Sequence, residues 1–346
     1  MTAVLARRRA ALLVAGTIAT VALALGAIFD TAGAANGLLF AFLVWLAIPI
    51  GSAVLMEIHT LTGGAWGRAL RPVLADCAAT VPVFIVPFVF IILGARTVYP
   101  WAADASATKW RDVSAGYLNV QGFALRALVI WAVWCLIAAA PRPRRAERLW
   151  AGIGLALYGI TISIAAVDWS MSLSPKWAST SYAAITAIGQ ITAALAFAAL
   201  LQTLASRAET EDVAGLILAC LLGYAYLSFM QYLVIWSGNL PDRANWYVAR
   251  VHHGWALIEG LAILAGAAAF LILLRRKARQ SGRATAAAAV LVLAALLLDR
   301  LWQTVPSLPE ARPWAVILAT VALGCLWIGL AGRVAWPPRQ EALGRV

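Results

Sequence analysis

Ten apolar stretches, each about as long as a bilayer is thick, follow one another along this chain with little polar sequence between them. A hydrocarbon core of about 30 Å takes roughly 20 apolar residues wound as a helix. The stretches lie at about 10–29, 38–58, 73–95, 117–140, 149–167, 178–205, 213–237, 249–274, 284–305 and 313–335. Of the 346 residues, 63% are hydrophobic and only 12% are charged, more apolar surface than one soluble core can hide. Lipid must cover the remainder, and in lipid the backbone has to satisfy its own hydrogen bonds, as a helix does. The sequence therefore predicts an all-α polytopic membrane protein, with residues 1–346 as a single integral membrane domain.

The net charge of +12 would suggest nucleic acid as a partner of a soluble protein, but its placement argues against this. Lys and Arg cluster in short loops between the apolar segments, the pattern that orients membrane helices. With the N-terminus inside, 18 of the 27 fall on the inner side and 7 on the outer side, while Arg126 and Arg300 lie within segments four and nine. Ten spans keep that alternation, with both termini cytoplasmic. The basic loop Pro141-Arg142-Pro143-Arg144-Arg145 is internal on this reading. The longest loop, about 96–116, is external and opens with the interfacial aromatics of Tyr99-Pro100-Trp101. The first segment follows Arg7-Arg8-Arg9 and ends near small residues, as a signal peptide does, but its apolar run is longer than a usual signal core and predicts a retained helix.

A repeat with an offset of four segments runs through the chain. Segments five and nine end on an aspartate followed by tryptophan, Asp168-Trp169 and Asp299-x-x-Trp302. Segments four and eight each carry one charged residue about ten positions in, Arg126 and Glu259. An even offset makes the halves parallel. It predicts two four-helix bundles, segments 2–5 (about 38–167) and 6–9 (about 178–305), flanked by segments 1 and 10.

Several chemistries lack their residues. Cys77, Cys135, Cys220 and Cys325 are far apart, inside apolar segments, with no CxxC and no CxxCH. They read as buried small residues rather than ligands of zinc, iron–sulfur or covalent haem. The three histidines, His59, His252 and His253, offer no pair on different helices at one depth, so two-histidine haem ligation is not expected. HExxH and GxSxG are absent, and Thr60-Leu61-Thr62-Gly63-Gly64-Ala65-Trp66-Gly67 lacks the lysine of a phosphate loop. No metal-ligated or covalently held cofactor is expected; quinone or quinol remains the one candidate.

Ionisable groups at membrane depth cost about 2.5–3.5 kcal/mol each on insertion scales and normally face a bundle interior. Two groups stand out. The outer-half group is Arg126, Asp168, Gln231, Glu259, Asp299 and Arg300. The inner-edge group is Glu57, His59 and Asp76, expected at one depth where segment two ends and segment three begins. One reading is a quinone pocket or proton path, with proton uptake at the inner edge. The other is interhelical pairing, Arg126 with Glu259 or Asp299, with Glu57 and His59 snorkelling to the interface and Asp76 as a helix-start aspartate.

Five strings occur in order: His59-Thr60-Leu61-Thr62-Gly63-Gly64-Ala65-Trp66-Gly67; Tyr99-Pro100-Trp101; Asp168-Trp169-Ser170-Met171-Ser172-Leu173-Ser174-Pro175-Lys176-Trp177; Phe229-Met230-Gln231-Tyr232-Leu233-Val234-Ile235-Trp236-Ser237-Gly238-Asn239-Leu240-Pro241; and Trp246-Tyr247. From segment two to segment nine the series resembles the F subunit of bacterial alternative complex III, in the NrfD-like (polysulfide-reductase membrane subunit) superfamily. The resemblance implies ten helices in two four-helix bundles, in the bacterial inner membrane. It implies a non-catalytic or quinone-binding subunit of a quinol:cytochrome c oxidoreductase, beside a related NrfD-like membrane subunit, an iron–sulfur protein and cytochrome c subunits. The chain departs from the family after Glu259, where Gly260–Gly266 is apolar. Two rivals stand beside this reading: a stand-alone secondary transporter with Arg126, Glu259 and Asp299 as ligands, and a purely structural anchor.

Overall fold

The computed structural model describes residues 2–107, 113, 116–139, 146–205 and 210–331. Ten helices among them are long and apolar enough to cross a membrane, and no strand occurs among the described residues. The chain is an all-α polytopic membrane protein, as its sequence predicts. Arg142, Arg144, Arg145, Arg207, Arg333, Arg339, Arg345, Lys109 and Arg111, all used in the charge count, lie outside the described residues.

The spanning helices are α1 (Thr2–Phe29), α2 (Thr31–Thr62), α3 (Ala65–Leu93), α4 (Val120–Ala139), α5 (Glu147–Trp169), α6 (Tyr182–Ala205), α7 (Thr210–Gly238), α8 (Trp255–Leu274), α9 (Gly282–Thr304) and α10 (Pro313–Leu330). The face on which α1 begins is called the N-face below, and the opposite one the far face. Three starts are capped by side chains: Asp30 accepts from Gly33 N at 2.8 Å, Asn119 from Gly122 N at 2.7 Å, and Ser281 from Ala284 N. The α3 span is broken. Its first helix, Ala65–Ala79, gives way to a 3₁₀ turn at Val81–Phe84 because Pro82 has no N–H to continue the ladder. Thr80 repairs the break by donating its Oγ1 to Cys77 O at 2.6 Å and accepting Trp327 Nε1 at 2.8 Å.

Helices α2–α5 pack among themselves, and so do α6–α9. The two groups meet along α2 and α6, whose apolar windows are the most buried of the ten, 72% and 61%. Alanines line that face of α6, and Gly51 of α2 lies against the Gln190 carbonyl so closely that a Cβ there would come within 2.1 Å of its oxygen. Small residues let two backbones approach in lipid, where packing rather than water expulsion drives helix association. On the other side of α2 lies α10, held by Trp45 Nε1 donating to Thr320 O at 2.8 Å. Gly324 makes room for the Trp45 ring. Helix α1 packs on α10 and is 11% buried; α8, at 17%, is the least covered helix of the second bundle.

Candidate functional site

Each bundle carries a charged arrangement in its interior, and the two differ chemically. In the first bundle, Arg126 of α4 donates Nε to Asp168 Oδ2 at 2.7 Å and Nη2 to Oδ1 at 3.2 Å. Asp168, near the end of α5, is fully buried. The Arg126 guanidinium lies 3.9 Å from the centre of the Tyr117 ring, and the Tyr117 hydroxyl reaches the same carboxylate. Burial pushes the Tyr117 phenol up to about 12, so it stays a donor. The two-pronged pair neutralises Asp168 within the protein. Around it the interior is filled with rings: Phe88 and Trp169 are 4.7 Å apart, Trp134 and Trp169 5.3 Å. Arg126 therefore pairs with Asp168, not with the expected Glu259 or Asp299. The reason is topological: α4 and α5 are neighbours in one bundle, while Glu259 and Asp299 belong to the other.

In the second bundle the equivalent positions are both acidic. Glu259 of α8 and Asp299 of α9 are within hydrogen-bonding reach of each other. Asp299 also accepts from the Tyr224 hydroxyl of α7 and from Gln303 Nε2 at 2.7 Å. Gln303 Nε2 lies 3.3 Å from the Tyr224 hydroxyl as well. Tyr224, Ser228 and Gln231 follow one face of α7 toward the far face, at the i, i+4, i+7 spacing of a helical stripe. Gln231 is buried, 6% exposed, and donates Nε2 to the Tyr247 hydroxyl at 3.2 Å. Burial pushes the Tyr247 phenol up to about 12, and both carboxyls add to the effect. Ser228 Oγ and Gln231 Oε1 are buried without a hydrogen-bond partner. Arg300 turns from Asp299 toward Gln303 Oε1 at 3.5 Å and lines a small cavity between the bundles, with Ser170, Thr186 and Gln190.

Above this site the connector helix Pro241–Val248 is tied to the end of α9 by Arg250. Its guanidinium donates to Trp302 O at 3.1 Å, Gln303 O at 2.8 Å and Trp246 O at 2.8 Å, and to Ser307 Oγ. It also lies 3.6 Å from the Trp246 ring centre. A cation on the last carbonyls of a helix suits the negative end of its dipole.

The inner-edge trio is not a cluster. Glu57 is 1% exposed and faces α5, where an added Cβ on Gly154 would stand 3.5 Å from its carboxyl carbon; it does not snorkel. His59 lies on the loop side, with its Nε2 3.1 Å from Gly64 O and its ring over Gly67. A cavity beside it is lined by Met56, Thr60 and Arg71, not by Glu57 or Asp76. Asp76 sits in the last turn of Ala65–Ala79, not in the first turn of a helix. Gly63 and Gly64, both at positive φ, turn the chain in two residues, so the third helix starts at Ala65 and not near 73, and takes in Arg68 and Arg71. Asp76 is thereby carried away from the Glu57 level.

Between the two levels, polar groups gather where the bundles meet. Tyr158, one turn beyond Gly154 on α5, donates to Gln190 Oε1 of α6 at 2.9 Å. Gln190 lines the interbundle cavity with Arg300, and Gln303 connects Arg300 to Asp299. Tyr158, Gln190, Tyr224 and Gln303 escape notice in sequence because each is uncharged, and an uncharged polar residue in a spanning helix does not by itself mark a site.

Comparison with protein-family models and with curated protein sequences returns no match to this chain.

Proposed function

We propose that this chain is a proton-carrying membrane subunit of a quinol-oxidising respiratory complex, with Glu259 and Asp299 as its proton-exchanging pair. The observation that carries this reading is the contrast between the bundles. In the first, Asp168 is neutralised by a fixed guanidinium. In the second, the equivalent aspartate faces a second carboxyl, with Tyr224 and Gln303 as its donors. Two carboxyls hydrogen-bonded to each other away from water must share a proton, since both cannot be charged so close together. A proton held that way, and not by a permanent cation, is one that can be exchanged.

Quinol oxidation releases two protons and two electrons, so a subunit beside it needs groups that take up protons. The route supported best runs from Glu57 past Tyr158 and Gln190, through the Arg300 cavity and Gln303, to Asp299. On this reading the N-face is cytoplasmic, as the Lys and Arg distribution favours, and the membrane is the bacterial inner membrane. Partner subunits of the kinds named by the resemblance, an NrfD-like membrane subunit, an iron–sulfur protein and cytochrome c, would carry the electrons, with quinol at or near this chain. Mild purification from native membranes tests the assignment: co-purification with haem- and cluster-bearing proteins is expected. Recovery as a lone monomer in every mild detergent would favour the transporter reading, which the same carboxyl pair would also serve.

A further inference from the structure

The linker between α8 and α9, at the N-face, places five cations within nine residues: Arg275, Arg276, Lys277, Arg279 and Arg283. Two of them hold the linker in place. Arg279 donates Nη1 to Leu273 O at 3.0 Å, closing the carbonyl end of α8. Arg276 donates Nε to Glu211 Oε1 of α7 at 3.1 Å, and Gln280 donates to the other oxygen of the same carboxylate at 2.8 Å. The one-turn helix Arg276–Arg279 is thereby tied to both α7 and α8.

The other three have no such task. Arg275, Lys277 and Arg283 are exposed, and none is in an ion pair among the described residues. Glu211, the carboxylate the linker reaches, is already taken by Arg276 and Gln280. Beside them α8 is the least covered helix of the second bundle, and its outward face is a leucine stripe. Leu257, Leu261, Leu264 and Leu271 recur there at helical spacing, between 46% and 67% exposed. Leu274, 55% exposed, carries the apolar surface up to Arg275. A cationic platform where an apolar helix face ends matches both halves of an anionic phospholipid, with acyl chains against the leucines and phosphate against the cations.

We propose that the α8–α9 linker binds the phosphate of an anionic phospholipid through Arg275, Lys277 and Arg283, with the acyl chains along the leucine stripe of α8. A soluble phosphate would meet the same cations but not the leucines, so the lipid is the occupant that uses both. The site lies toward the other end of α8 from Glu259, and it stands whether or not the carboxyl pair exchanges protons.

The test is native mass spectrometry of the purified full-length chain, released from micelles that hold phosphatidylglycerol and phosphatidylcholine of identical acyl chains at equal concentration. Wild type retains phosphatidylglycerol in preference to phosphatidylcholine. Arg275→Gln, Lys277→Gln and Arg283→Gln, made singly, each lower that preference about fivefold, the worth of one cation at a membrane surface. The three together abolish it, while the charge-retaining set Arg275→Lys, Lys277→Arg and Arg283→Lys keeps it. Arg68→Gln with Arg71→Gln, exposed at the start of α3 on the same face, keeps it too. A triple Gln variant that retains phosphatidylglycerol as wild type does overturns the site, and leaves these cations only the role of orienting the helices during insertion. An equal loss in the Arg68, Arg71 control overturns it by spreading the preference over the whole N-face. Displacement of the retained lipid by glycerol 3-phosphate at matched concentration overturns the lipid assignment in favour of a soluble phosphate.

Discussion

At the scale of single residues, the account separates a fixed ion pair from an exchangeable carboxyl pair, and substitution distinguishes them. Arg126 holds a fully buried carboxylate by two hydrogen bonds. Removing one partner of such a pair leaves a charge stranded in low dielectric and costs about 3–5 kcal/mol. Arg126→Ala is therefore expected to lower unfolding stability by about 3 kcal/mol, somewhat discounted for the partial exposure of the arginine. The double variant Arg126→Ala, Asp168→Asn should regain most of that loss. An Arg126→Ala protein with wild-type stability would mean that Asp168 does not depend on the pair. Glu259→Gln differs, because an amide can still hydrogen-bond Asp299 without stranding a charge there, and its effect on stability is expected to be small. The charged members of these sites were legible in the sequence, since a lone Arg or Glu in an apolar segment stands out. Their partners were not. Pairing Arg126 with Asp168 requires knowing that α4 lies on α5, and Tyr224 and Gln303 look like ordinary residues until Asp299 is placed beside them.

At the scale of helices, the two bundles are joined by close approach of α2 and α6, and glycine at the crossing makes that possible. A Cβ on Gly51 would lie 2.1 Å from the Gln190 carbonyl oxygen, where backbone and not a flexible side-chain end must give way. Gly51→Ala is expected to destabilise by about 1–3 kcal/mol, as overpacking does. It should also disturb the Gln190–Tyr158 contact beside it. Gly152→Ala, on α5 with nothing within 4 Å, is the matched control and should be neutral. Equal stabilities of the two variants in thermal unfolding would contradict the close crossing. At the far face, Arg250→Met removes a cation from the carbonyls of Trp302 and Gln303 and should cost about 2 kcal/mol, the scale of hydrogen bonds to a charged group. Hydropathy makes the helices themselves easy to read, because lipid imposes their length. Their ends are harder. The two-residue turn at Gly63–Gly64 and the break at Thr80–Pro82 depend on backbone conformation, and misreading the first displaced Asp76 from its true depth.

At the scale of the whole molecule, one bundle is filled with rings around a neutralised aspartate and the other holds two carboxyls. The sequence offers Arg126 with Glu259, and Asp168 with Asp299, as matching positions of a four-segment repeat. The gathering of polar groups where the bundles meet is not visible there, because it is assembled from five helices. That gathering gives the proposed role its path: Glu57 at the N-face end, Tyr158 and Gln190 between the bundles, and Asp299 with Glu259 in the far half. The most direct test is the ratio of protons moved to electrons transferred by the native complex in sealed liposomes, compared between wild type and Glu259→Gln. The account predicts that Glu259→Gln lowers this ratio while quinol oxidation continues at a comparable rate. A wild-type ratio in Glu259→Gln would contradict the assignment of the carboxyl pair as the proton-exchanging site.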